Sequence, residues 1–97
     1  MLLDGLFEVL NKDKSQATVA LSDQEHPIFK AHFPSNPILP GFVHFEIASA
    51  VFNIEITTIK KAKFTNIVLP KQTLEYKRDG SKFTVVCENS VVATFSL

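Results

Sequence analysis

At 97 residues the chain has room for one domain, residues 1–97, and no more. A chain this short hides roughly 60–65% of its unfolded surface, so association with a second copy would enlarge a thin core. Ten basic and ten acidic residues cancel, which leaves no bulk charge to draw the chain onto nucleic acid or a membrane surface. Cys87 is the only cysteine, so an internal disulfide is excluded and no cysteine-based metal site is expected. No apolar run approaches the ~20 residues of a membrane span. The start, MLLDGLFEVLN, lacks the uninterrupted apolar stretch of a signal peptide. The expected location is the cytoplasm.

Leu6 to Leu10 reads as a strand, with a short helix as the alternative. Asn11 to Ser15 reads as a polar turn. From Gln16 to Ser22 the residues alternate, with Ala17, Val19 and Leu21 on one face. This predicts a half-buried strand that pairs back as a hairpin. His26 to Pro40 holds Pro27, Pro34, Pro37 and Pro40. Proline removes a backbone donor and pushes its predecessor out of helical geometry, so an ordered loop is expected, anchored by Phe29, Phe33, Ile38 and Leu39.

Pro40 to about Ile54 reads as a helix, with proline at the position where its missing N–H is harmless. Apolar residues occur nearly all round it, which predicts burial on most sides. Glu46, Ser49 and Asn53 share one face. Ile54 to Ile67 is rich in β-branched residues and reads as a strand ended by Pro70. Thr73–Lys77 and Lys82–Glu88 flank Asp79-Gly80, a hairpin signal, and Asn89-Ser90 turns the chain into Val91–Leu97. The outline is two strands, one buried helix and four strands, an α+β layout.

The run HFPSNPILPGFVHFE, residues 32–46, resembles the signature of the hotdog-fold 3-hydroxyacyl-(acyl-carrier-protein) dehydratases: a His-Phe-Pro loop, a Pro-Gly helix start and an acid on the helix. His32 and Glu46 stand fourteen residues apart, as in that family. Lys63-Phe64, Pro70 and Thr73-Leu74-Glu75 are similar to its strand–Pro–strand segment. The compact length is closest to the branch that includes aryl-polyene-type dehydratases. Ala31 and Ser35 stand where the family often has glycine, and Ala50 where the fatty-acid branch usually has glutamine.

The resemblance implies a hotdog fold, in which about six antiparallel strands wrap one long buried helix. It also implies removal of water from a 3-hydroxyacyl thioester on acyl carrier protein, without metal or cofactor, by a homodimer or a trimer of dimers. His32 would be the base, since imidazole titrates near working pH. Glu46 would be the acid, because desolvation on an apolar helix favours the proton-carrying form of a carboxyl. A scheme in which histidine handles both transfers stays open. Phe33, Pro40, Gly41 and Phe42 would border the substrate, with the N–H groups after Pro40 receiving the thioester oxygen. The two reacting side chains would come from different subunits. Lys60, Lys61 and Lys63, with Lys71 and Lys77, would receive the acidic carrier protein.

Plainer roles fit the remaining residues. His44 is expected as a core or interface histidine and His26 as a turn or cap residue beside Pro27. Ser49 and Asn53 are expected to hydrogen-bond across a dimer rather than to line a tunnel, and Cys87 to lie in the core. Tyr76 receives no role. Two other functions remain: a thioesterase or enoyl hydratase on the same fold, and a non-catalytic subunit that binds carrier protein or a partner dehydratase.

Overall fold

The computed structural model describes residues 3–32 and 35–97, with Ala31 and His32 described by their backbone only. Six strands form one antiparallel sheet: β1 (Phe7–Lys12), β2 (Gln16–Leu21), β3 (Lys61–Phe64), β4 (Thr73–Asp79), β5 (Lys82–Cys87) and β6 (Ser90–Ser96). Their spatial order is β1-β2-β4-β5-β6-β3. Two helices, α1 (Pro27–His32) and α2 (Val43–Phe52), lie between β2 and β3 in the chain. The predicted outline of hairpin, helix and four strands is present.

Three boundaries depart from expectation for physical reasons. The proline-rich segment is not all loop. Pro27 opens α1, and His26 caps it: the Ile28 N–H donates to His26 Nδ1 at 3.0 Å, and the Phe29 and Lys30 N–H groups donate to the His26 carbonyl. Proline at the first helical position starts a helix rather than breaking one. The expected Ile54–Ile67 strand shrinks to β3. Ile54, Ile56 and Ile59 pack against the core, so their β-branching reflects burial; pairing begins only where the Lys60 N–H reaches the Ser96 carbonyl. At the first hairpin, Asn11 and Lys12 extend β1, and a register shift between Val9 and Asn11 absorbs one residue.

The helix meets the sheet through Val43, His44, Ile47, Ala48 and Val51. The sheet answers with Ala17, Val19 and Leu21 of β2, Leu74 and Tyr76 of β4, Phe83, Val85 and Cys87 of β5, and Ala93 and Phe95 of β6. Alternation puts these residues on one face. Beneath α2 the Phe83 and Phe95 rings stack at 4.8 Å, and Phe45, in the first turn, meets Phe95 edge-on at 4.9 Å, geometries that aromatic quadrupoles favour. Burial and then the neighbouring Glu88 carboxylate push the Cys87 thiol pKa up, as suits a core thiol rather than a reactive one.

One polar pair sits within this apolar interface. His44 Nδ1 and the Tyr76 hydroxyl are hydrogen-bonded at 2.8 Å, and both residues are buried. Burial holds His44 down at a pKa of about 4 and raises Tyr76 well above its ordinary value, so both are neutral at pH 7. Histidine as a core residue matches expectation; its tyrosine partner was not anticipated.

Tyr76→Phe leaves the buried imidazole without this partner, and urea unfolding at pH 7 is expected to show a loss of about 1–3 kcal/mol. Between His44's ordinary value of 6.5 and about 4 the unfolded chain binds a proton that the folded chain refuses. Stability is therefore intact above pH 6.5 and falls as the pH drops toward 4, by about 3 kcal/mol in all. Unfolding of wild type and His44→Leu across that range should show the steeper fall only in wild type.

Candidate active site

The rotation of α2 decides which residues face out. With His44, Ile47 and Val51 against the sheet, Phe42, Glu46, Ala50 and Asn53 are exposed. Within α2 only Glu46 and Ala50 are exposed, and Phe45 and Phe52 pack half-buried against the core, so the helix is covered on most sides, as its composition suggested. Phe42, just before it, remains open in the single chain. Glu46 faces outward, so its own chain does not supply the desolvation expected for it. It borders a groove of about 170 Å³ of mixed lining: Phe45, Ile56 and Ile59 beside Glu46, Ser49 and Thr57. The extended segment after α2 forms the second wall.

Ser49 and Asn53 shape the end of α2 within their own chain. The Ser49 hydroxyl donates to the Ile54 carbonyl of its own chain at 2.5 Å, and the Ile54 N–H donates back to the Ser49 carbonyl at 3.1 Å. Asn53 ends the helix in the left-handed conformation, φ 52°, a role asparagine tolerates better than most residues. Ser49 lines the groove.

The helix start also differs from expectation. Pro40 does not open α2. Residues 40–42 form a tight turn in which the Val43, His44 and Phe45 N–H groups donate to the Pro40, Gly41 and Phe42 carbonyls, each at 3.1 Å. Three donors assigned to the thioester oxygen are therefore engaged in this turn. Gly41 faces the Phe64 ring: a Cβ at position 41 would lie 3.0 Å from two of its atoms. Phe64 is half-exposed on β3, and its ring centroid lies 6.3 Å from that of His44 and 5.9 Å from that of Phe45. The glycine thus admits an aromatic ring of its own chain. Pro40 is buried beside it.

His32 closes α1. Its side chain lies outside the described residues, as do Phe33 and Pro34 entirely, so the His32/Glu46 pairing rests on the motif. Lys60, Lys61 and Lys63 are exposed. Register places Lys61 and Lys82 on either side of Ser96, and Lys63 opposite Thr94, which pairs in turn with Thr84. Lys61, Lys63 and Lys82 border a concavity of about 330 Å³. Lys82 was not anticipated and joins this group through strand pairing alone. Lys77 bonds Glu75 at 3.4 Å, and Lys71 lies before β4, at the end opposite Lys82. Among the described residues, no helix is long and apolar enough to cross a membrane.

Comparison with known proteins gives this geometry a family. Residues 9–95 match the family described as ApeI-like, ApeI dehydratase. The chain is 32% identical over 101 residues to the 3-hydroxyacyl-(acyl-carrier-protein) dehydratase FabZ of Thermoanaerobacter sp., covering 89% of this chain and 70% of that protein. It is 33% identical over 87 residues to FabZ of Enterococcus faecalis, covering 76% and 61%. In structure it is similar to the dehydratase heterocomplex ApeI:P of Xenorhabdus doucetiae (TM-score 0.65, 20% identity, 91% of this chain and 89% of that one). It is also similar to the Escherichia coli PaaI protein (TM-score 0.61, 15% identity, 97% and 82%). The fold is the hotdog fold, and the class is that of the FabZ-like dehydratases. The chain belongs to the ApeI-like dehydratase family.

The contact at the helix start yields a test. Gly41→Ala should displace the Phe64 ring and cost about 1 kcal/mol in thermal or urea unfolding. In a Phe64→Ala background the same change should cost clearly less.

Proposed function

We propose that the protein removes water from a 3-hydroxyacyl thioester carried on acyl carrier protein, giving the trans-2-enoyl thioester. The observation that carries this reading is the Glu46 carboxyl in a groove beside Phe45, Ile56 and Ile59, on the helix of a chain that belongs to a dehydratase family. His32 takes the proton from C2. Glu46 protonates the departing C3 hydroxyl, and the electron pair released at C2 forms the new double bond. The thioester oxygen falls to the Gly41 N–H, which has no hydrogen-bond partner among the described residues, and Phe33, Pro40 and Phe42 border the acyl chain. One oriented donor of this kind is typically worth ~3–4 kcal/mol in the transition state.

The groove is open toward solvent, and Phe42, Phe64, Ile67 and Leu69 are exposed. An apolar patch of this kind marks an interaction surface. A second copy covering it would exclude water from Glu46 and bring in a His32 from the other chain, giving a dimer or a trimer of dimers. Lys60, Lys61 and Lys63, joined by Lys82, would steer the acidic carrier protein. Ile59 lines the groove and Lys60 and Lys61 follow it directly, so carrier surface and reaction site are contiguous along one segment. A second reading, a subunit that works only with a partner dehydratase, is favoured by the likeness to a dehydratase heterocomplex.

Mass spectrometry of 3-hydroxyacyl-carrier substrates should show loss of water with wild type and a fall of at least 100-fold with His32→Ala or Glu46→Gln. Release of free acid instead would indicate a thioesterase. Inactivity across short, long and aromatic chains, with activity regained on adding a second hotdog protein, would favour the partner reading. Charge reversal at Lys61, Lys63 and Lys82 together should raise KM for carrier-bound substrate about tenfold or more with kcat unchanged. The effect should shrink as salt rises.

A further inference from the structure

Ser49 has a use for only one kind of ligand atom. A serine hydroxyl holds one proton and two lone pairs. Here the proton goes to the Ile54 carbonyl at 2.5 Å. The same two residues are tied again by the Ile54 N–H on the Ser49 carbonyl, so the hydroxyl's own bond is backed by a second bond between the two backbones. What remains to face the groove is acceptor capacity. Ser49 lies one turn along α2 from Glu46, and both line the same 170 Å³ groove with Phe45, Ile56, Thr57 and Ile59. Residues three apart on a helix are surface neighbours. The groove therefore offers a fixed acceptor beside a carboxyl.

We propose that Ser49 accepts a hydrogen bond from the 3-hydroxyl of the substrate, and so makes the site prefer a 3-hydroxyacyl chain over the same chain without the hydroxyl. This rests on the dehydratase reading and names the group that recognises its leaving oxygen. Donating to Ser49 leaves the hydroxyl oxygen's lone pairs free to take the proton of Glu46. The C2–H bond breaks to the base, its electron pair becomes the C2=C3 bond, and the C3–O bond breaks with the oxygen leaving as water. The enoyl product has no hydroxyl for Ser49 and loses this bond on formation. Ala50 stands where a glutamine would put a polar group near the acid, and Ser49 supplies one from the adjacent position.

The test is binding of two carrier-bound analogues by calorimetry, each with an amide in place of the thioester so that neither reacts: a 3-hydroxyacyl chain and the saturated chain of equal length. Wild type should bind the hydroxylated analogue about tenfold more tightly, the size of one hydrogen bond. Ser49→Ala should abolish the preference by weakening only the hydroxylated analogue, and Ser49→Thr, which keeps the hydroxyl, should retain it. A preference unchanged in Ser49→Ala, or none in wild type, overturns the proposal. Equal weakening of both analogues does so too, because it marks Ser49 as merely structural. Loss of water from the true thioester is scored separately, so failure of the dehydratase reading is told apart from failure of the Ser49 assignment.

Discussion

The hydrogen bond between His44 and Tyr76 fixes how α2 is rotated on the sheet, and the candidate site depends on that rotation. Valine, isoleucine and alanine side chains could pack against β4 and β5 in more than one register at modest cost. An imidazole could not: turned away from Tyr76 it would leave a buried phenol unpartnered, or be unpartnered itself. With His44 pointing to β4 at 2.8 Å, the helical period of 3.6 residues sends Glu46 out to the groove formed with Ile56 and Ile59. The pair takes no part in the chemistry proposed. It sets the direction from which the chemistry is done.

The same rotation leaves the site half-built. One wall of the groove is α2, the second is the extended segment running to β3, and the remaining side is open. β3 is an edge of the sheet, short and exposed along its whole length, with Phe64 resting on the Gly41 turn. Unpaired edges invite another strand, and exposed aromatic residues beside a catalytic candidate invite a cover. A second copy seated here would complete the groove, dry the Glu46 carboxyl and enlarge a core that 97 residues leave thin.

Alternation made β2, β4, β5 and β6 legible in the sequence, because each buries one face and a period of two is hard to mistake. The core position of Cys87 was legible for the same reason, and that of His44 because it points to a different side of the helix from Glu46. Where the sequence misled, one residue type had two physical uses. Pro27 was read as a breaker and starts α1. The isoleucines from 54 to 59 were read as strand and serve as packing without a ladder. Tyr76 could have been found: it alternates inward with Leu74, opposite a helix whose inner face carries a histidine. Lys82 and the Ser49–Ile54 bond depend on cross-strand register and on a helix end, which no local pattern reports.

The central claim is that each reaction site takes His32 from one chain and Glu46 from another. Subunit mixing tests this most directly. His32→Ala and Glu46→Gln are purified separately, mixed in equal amounts, allowed to exchange and assayed for loss of water from a 3-hydroxyacyl-carrier substrate. If sites are shared across a two-fold axis, half of the dimers become mixed and each mixed dimer has one intact site of two, so activity should recover to about a quarter of wild type. No recovery after proven exchange, with wild type fully active, would place both side chains in one chain and contradict the shared site.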